Sequence, residues 1–371
     1  MAGQVNLLRW AARPMFCRRS LFQAACLTGS RNFTVMGIET SADDTCVAVL
    51  ELDDPKGAVR IICNKKATYP NKEKGGIHPA EAVKHHFAQI PGLVHAAMQH
   101  LGRATKSPAY LTLSHEEIAW SAMRGLPYSQ YVPLPEKRYQ MEKPDLIAVT
   151  QGPGIGTCLN AGIATAKALS VAWAVPLVAV HHMQAHALTP FMEASLVPSD
   201  PSSAPSQHPT SIQHSPPQYP ILTLLVSGKH TQLVHTISPL NHRILASTPN
   251  IAIGDMLDKI ARALLPRELI EACGNTIVYP RILEDFIAPL NPNKTYQAST
   301  SRKEEDLVYK SVFGWVIGRP PAPTAKNMQY NFSGMNGVVL NIIRENPDMP
   351  DDERRILALH TMRIAFEHAS K

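Results

Sequence analysis

The chain has 371 residues, of which 44% are hydrophobic and 18% charged, with a formal net charge of +6. That length exceeds one ordinary core and suits two lobes, and the composition excludes a disordered chain. No apolar run reaches the roughly 18–20 residues that span a bilayer, and six cysteines without a CxxC pair exclude a disulfide framework or zinc ribbon. Up to Met36 the chain carries Arg9, Arg13, Arg18, Arg19 and Arg31 and no acid; the first carboxylate is Glu39. An acid-free start with Arg, Ser and Ala reads as a mitochondrial transit peptide over 1–34, the alternative being a basic tail. The remainder is nearly neutral, so bulk charge argues neither for nor against RNA binding.

Val35 to Ile38 and Val47 to Leu52 predict two strands around the polar turn "ETSADDT", and Ile61 and Ile62 start a third. Pro79 to Leu101 has helical spacing, with Val83, Phe87, Ile90, Val94 and Met98 as the apolar stripe; Pro91 should kink or divide it. Ser107 to Lys143, with four prolines and no clean period, reads as a surface insertion. Then come a buried strand at Asp145 to Thr150, a glycine turn "QGPGIGT", a small-residue helix from Leu159 to Ala174 and a strand at Pro176 to Val180. This is β-turn-α-β, an α/β pattern. Glu193 to Pro220, rich in Pro and Ser, reads as a linker between lobes. Tyr219 to Ile237 predicts a β-hairpin with Ser-Gly-Lys at its tip, and Gly254 to Leu265 an amphipathic helix. Pro266 to Tyr330 is weakly patterned, and "NFSGMNGVVLNIIRE" and the helix "DDERRILALHTMRIAFEHAS" follow.

Four places could carry chemistry. The turn after the first strand, with Glu39, Thr40 and Ser41, can offer hydroxyls and backbone N–H groups to a phosphate, or be an ordinary polar hairpin tip. The glycine turn at Gln151 to Thr157 leads into a helix N-terminus, which attracts anions; small residues for close strand–helix packing explain it equally well. It is neither a Rossmann fingerprint nor a Walker A loop. In "LLVSGKHTQL" a glycine would let a phosphate approach the backbone beside Lys229, and the next helix carries the i,i+4 pairs Asp255–Lys259 and Asp258–Arg262. Finally, "VHHMQAHALT" holds His181, His182 and His186. On a helix His182 and His186 share one face and could bind one metal, although a bare HxxxH is often incidental. Met183 stands where a zincin has its Glu, which disfavours metalloprotease chemistry.

Taken in order, "MGIETSADDTCVAV", "GGIHPAEAVKHH", "TQGPGIGTCLNAGIATAKALSVAWAVPLVAVHHMQAHALTP", "PILTLLVSGKHTQL" and "IGDMLDKIAR" resemble the tRNA N6-adenosine threonylcarbamoyltransferases, and most closely their mitochondrial branch. The resemblance implies an actin-like ATPase fold of two lobes with mixed sheets flanked by helices, the first over 35–192 and a partial second over 220–371. A Pro/Ser-rich loop over 193–219 would join them. It implies transfer of threonylcarbamoyl from threonylcarbamoyl-AMP to N6 of adenosine 37 in tRNAs reading ANN codons, in the mitochondrial matrix, by a homodimer without a membrane partner. His182 and His186 would be two of three ligands of one divalent iron or zinc ion. Leu225, Val226, Ser227, Gly228 and Lys229 would line the donor, Asp258 would contact it, and Glu39, Thr40 and Ser41 would form the phosphate-side turn.

The departures are specific. Gln184 stands where the family has Glu, and Lys229 where it has a second glycine. Tyr279-Pro280-Arg281-Ile282 replaces a "YPGG" turn, and Asn336 replaces a lysine. The "GGVxxN" and "TDNGxMIA" segments, the latter with the third metal ligand, are not in the chain. The second lobe is therefore expected to be incomplete, and a catalytically impaired paralogue acting as a binding or dimerisation partner is the alternative expectation. A sugar or acetate kinase of the same fold would have no use for the histidine pair.

Overall fold

The computed structural model describes residues 33–53, 58–72, 76–101, 142–196, 217–290, 309–311, 313–318, 320 and 328–370. The expected transit peptide over 1–34, except for Phe33 and Thr34, which instead open the first strand, nearly all of the insertion at 107–143 and most of the loop at 193–219 lie outside the described residues.

The first lobe is built on a mixed sheet. β1 (Phe33–Glu39) pairs antiparallel with β2 (Asp44–Asp53), which pairs antiparallel with β3 (Ala58–Thr68). On its other side β1 pairs parallel with β4 (Leu146–Gly152), which pairs parallel with β5 (Leu177–His181). The order is β3-β2-β1-β4-β5. β1 alternates half-buried and buried positions, as period-2 side chains must when one face carries the core. Helices α1 (Pro79–Leu101) and α2 (Gly156–Trp173) supply Ile90, Val94, Met98, Ala161 and Ala166 to that core, opposite Met36, Ile38, Val47 and Ile147.

Two expectations need correction here. Pro91 does not divide α1, which runs through it for 23 residues. A proline forfeits the bond to the carbonyl four residues back, here Phe87; that residue is 54% exposed, so water can satisfy the freed oxygen. The proposed linker also begins too early, because helix α3 (His182–Ser195) continues past Glu193.

The second lobe has an antiparallel sheet of β6 (Ile221–Val226), β7 (Thr231–Ser238) and β8 (Asn241–Ser247), in that order. Among the described residues this sheet is purely antiparallel rather than mixed. One large core joins α4 (Ile253–Leu264), α6 (Tyr279–Ile287), α7 (Ser333–Glu345) and α8 (Asp351–Ala369), with short α5 (Arg267–Glu271) beside it. A two-residue ladder of β9 (Tyr309–Lys310) and β10 (Val316–Ile317) closes it through Ile317. Where a YPGG turn was the family's pattern, Pro280 occupies the first turn of α6; a proline fits there because that N–H has no helical partner.

α3 connects the two halves. It leaves the end of β5, yet its Met183 and Ala187 pack with Leu225 and Val234 of the second sheet. His182 and His186, each one residue before a contact residue, lie about 100° round the helix from that contact.

Candidate metal and ligand site

β5 runs directly into α3. His181 is the helix N-cap, its Nδ1 accepting the Gln184 N–H at 3.3 Å. His182 and His186 are one turn apart, so a helix places their rings side by side. Their Nε2 atoms lie 3.2 Å apart, with the rings edge-on at a centroid distance of 4.6 Å. Two nitrogens bound to one tetrahedral ion at about 2.1 Å would sit about 3.4 Å apart, so the pair fits as two donors to one ion. Among the described residues no group of three or more His, Cys, Asp or Glu side chains is arranged to hold an ion.

The far side of the His182 ring is also occupied. Nδ1 faces Glu39 Oε2 at 3.5 Å and Ser41 Oγ at 3.4 Å. A carboxylate behind a ligating histidine fixes the ring and its tautomer and makes the outer nitrogen a better donor. Burial alone would raise the Glu39 pKa. Hydrogen bonds from His182, Ser41 and Thr150 outweigh it and hold the carboxyl at about 2, so it is a carboxylate at neutral pH. Burial, reinforced by the neighbouring His182, lowers the pKa of His186, of His181 and of His230 at the start of the β6–β7 hairpin's return, which keeps these rings neutral and able to ligate.

The turn that carries Glu39 is pressed against the glycine turn. Ile155 donates its N–H to the Ser41 carbonyl at 2.7 Å, and a Cβ on Gly154 would meet that carbonyl at 2.7 Å. Only glycine allows this approach. Gly162 on α2 lies equally close to Thr40, whose hydroxyl donates to the Cys158 carbonyl at 2.8 Å. Thr40 is therefore buried and structurally engaged, while Glu39 and Ser41 face His182. One amide at the start of α2, the N–H of its N-cap Ile155, is already bonded to the Ser41 carbonyl.

The hairpin tip forms the third wall. Ser227 Oγ accepts the N–H groups of Lys229 and His230 at 3.3 and 3.0 Å, a local turn that leaves Lys229 exposed. The start of α4 supports it from below: Gly254 donates to the Ser227 carbonyl at 3.3 Å, and a Cβ on Gly254 would meet Gly228 N at 2.8 Å. Val226 is exposed, whereas Leu225 is buried in the contact with α3. Asp258 pairs with Arg262 at 2.7 Å, and Asp255 with Lys259 at 3.1 Å, as the spacing predicts. The Arg262 guanidinium also lies 4.2 Å over the Tyr279 ring.

The Gln184 departure has a structural reason. Its side-chain NH2 donates to the Pro239 carbonyl at 2.7 Å, tying α3 to the β7–β8 turn. A glutamate there would set carboxylate against carbonyl. Spacing alone did not reveal the Glu39–His182 contact, because the partners are 143 residues apart.

The chain matches the family described as tRNA N6-adenosine threonylcarbamoyltransferase over residues 134–206 and 207–368. It is 30% identical over 350 residues to the mitochondrial tRNA N6-adenosine threonylcarbamoyltransferase of Schizosaccharomyces pombe. That alignment covers 91% of this chain and 64% of the relative, so the chain spans less than two thirds of the relative's length. Among solved structures, YeaZ from Pseudomonas aeruginosa is similar at 18% identity with a TM-score of 0.21, covering 40% of this chain and 44% of that one. The PPX-GPPA enzyme of Aquifex aeolicus is similar at 10% identity with a TM-score of 0.32, covering 92% of this chain and 94% of that one. With the family match spanning more than half of its length, this chain belongs to the tRNA N6-adenosine threonylcarbamoyltransferases.

Proposed function

We propose that the chain carries the first lobe and part of the second lobe of an enzyme transferring threonylcarbamoyl from threonylcarbamoyl-AMP to N6 of adenosine 37 in tRNAs reading ANN codons. The observation that carries this reading is the convergence of His182 and His186 Nε2 at 3.2 Å in front of the Glu39 carboxylate. His182 and His186 would hold an iron or zinc ion, and Glu39 would orient His182. When bound, such an ion supplies Lewis-acid polarisation of the carbonyl to be attacked. Ser227 and Gly228, at the end of the strand that carries Leu225 and Val226, would form the wall against which the adenylate would lie, with Lys229 offering charge to its phosphate and Asp258 midway along α4 below. Glu39 and Ser41 complete the opposite side.

The S. pombe relative is named as a mitochondrial enzyme, and an Arg-bearing start without acids suits the same compartment for this chain. Among the described residues no helix is long and apolar enough to cross a membrane. A homodimer is supported by the outer face of α2, where Ala164, Ala168 and Ala172 are exposed and Val171 is 82% exposed.

The test is direct. Purified chain is incubated with threonylcarbamoyl-AMP and an ANN-decoding tRNA transcript, with iron or zinc, and modified adenosine is measured in the digested tRNA. Product that disappears in His182→Ala supports the reading. A folded protein that binds neither metal nor donor and yields no product overturns it.

A further inference from the structure

One buried polar side chain near the site has no part in the chemistry above. His86, on α1, is fully buried at 0% exposure. Both ring nitrogens are engaged, one by the turn between β1 and β2 and the other by the second residue of β2. Nε2 lies 3.1 Å from the Ala42 carbonyl and Nδ1 2.7 Å from Thr45 Oγ1. A carbonyl only accepts, so Nε2 carries the proton and Nδ1 accepts the Thr45 hydroxyl. Burial lowers the pKa of this ring against the pull of Asp43, Glu39 and Asp44, so it is neutral and the tautomer is set. A leucine would have filled the same space between α1 and β2 with no partner to find.

The turn held in this way is Thr40 to Asp44. Its other anchors are the Tyr69 N–H on the Asp43 carbonyl at 2.9 Å and the Ile155 N–H on the Ser41 carbonyl at 2.7 Å. Its open side presents Glu39 and Ser41 to His182. The path is therefore short: ring to Ala42 and Thr45, turn to Glu39 and Ser41, and these to the inner nitrogen of His182.

We infer that His86 is a positioning residue for the metal pair: from α1 it fixes the β1–β2 turn so that Glu39 and Ser41 orient His182. This rests on the reading of His182 and His186 as metal ligands. Hydrogen-bonded partners behind a ligand contribute about 10- to 100-fold in metal affinity, and His86 acts one step further back.

The experiment titrates the purified chain with Co2+, read by its absorption spectrum, and follows amide exchange at residues 40–45. His86→Leu weakens Co2+ binding about tenfold and speeds exchange in the turn. His86→Gln, whose NH2 can still reach the Ala42 carbonyl, recovers most of both, which loss of packing alone would not allow. In a Glu39→Gln background His86→Leu adds clearly less than its full weakening, because part of its effect passes through that carboxylate and the remainder through Ser41. Unchanged affinity and exchange in His86→Leu, or full additivity in the double variant, overturns the proposal. If His86→Leu does not fold, Thr45→Val removes one contact from the other side and is judged by the same two readouts. If the unmodified chain binds no Co2+, the metal reading fails, and unchanged exchange at 40–45 in the variants still overturns the role of His86 on its own.

Discussion

Asn71 pairs with the backbone of Ile277 through both ends of its amide: Oδ1 accepts the Ile277 N–H at 2.7 Å and Nδ2 donates to the Ile277 carbonyl at 3.1 Å. The side chain thus stands in for a strand residue and joins the lobes across 206 positions of sequence. Beside it Lys72 donates its N–H to the Asn275 carbonyl at 3.2 Å, and its ammonium caps the end of α5 at the Glu271 carbonyl at 2.9 Å. Asn71→Leu leaves two buried backbone groups unpaired and should lower stability by about 2–4 kcal/mol. Urea unfolding checks this. Asn71→Asp keeps the acceptor but sets a buried carboxylate oxygen against the Ile277 carbonyl, so it should destabilise as well.

Two helical glycines should respond with opposite sign to the same change. Alanine is favoured over glycine inside a helix by about 1 kcal/mol. A Cβ on Gly337 of α7 would meet nothing within 4 Å, so Gly337→Ala should stabilise by about that amount. At Gly162 on α2 the new Cβ would lie 2.6 Å from Thr40 Oγ1. Gly162→Ala should therefore destabilise by about 1–3 kcal/mol, read as a lowered melting temperature. It should also weaken metal binding, because the strained neighbour carries Glu39 and Ser41.

Glu39→Gln should weaken iron or zinc binding about tenfold with little loss of stability, whereas His182→Ala should abolish it. Competition with a chromophoric chelator separates the two. Equal affinity in Glu39→Gln and the unmodified chain would show that the carboxylate does not orient the ring.

His360 on α8 predicts a pH dependence in the second lobe. The ring is 1% exposed, and burial, with Arg363 nearby, lowers its pKa from 6.5 to about 4. Above pH 6.5 folded and unfolded chains both hold it neutral. As pH falls from 6.5 towards 4 the unfolded chain takes up a proton that the folded chain refuses, so stability is lost across that window, by up to about 3 kcal/mol. His360→Leu should flatten this part of the stability profile, measured by urea unfolding at pH 7 and pH 5.

The sequence made the β-turn-α-β unit legible because both strands are apolar runs, the edge strand β5 as well as the buried β4, and the intervening turn needs glycine, as Gly154 does against Ser41. The histidine pair was legible because helical spacing alone brings His182 and His186 together. How the other candidates converge on that pair was not. Glu39, Ser41 and His230 reach the pair only through sheet pairing and hairpin placement, which leave no local spacing. The helix from Tyr279 to Ile287 was hidden in a weakly patterned tract because its buried face is small: Tyr279, Leu283 and Phe286. Pro91 misled because a local rule about proline does not say whether the orphaned carbonyl faces water.

The distance along the chain between Glu39 and His182 has a consequence for how the protein matures. On the proposed metal reading, the two donors His182 and His186 are four residues apart, so an unfolded chain could already catch an ion with them. The carboxylate behind them arrives only after β1, β4 and β5 have paired and α3 has been set in place. On that reading an ion captured early would be held loosely and would tighten as the sheet closes. By linkage it then stabilises the folded chain only by the affinity gained in that last step. Metal supply during synthesis would thus act as a late lock on the first lobe, and a shortage would be felt as slower maturation before it is felt as lost chemistry.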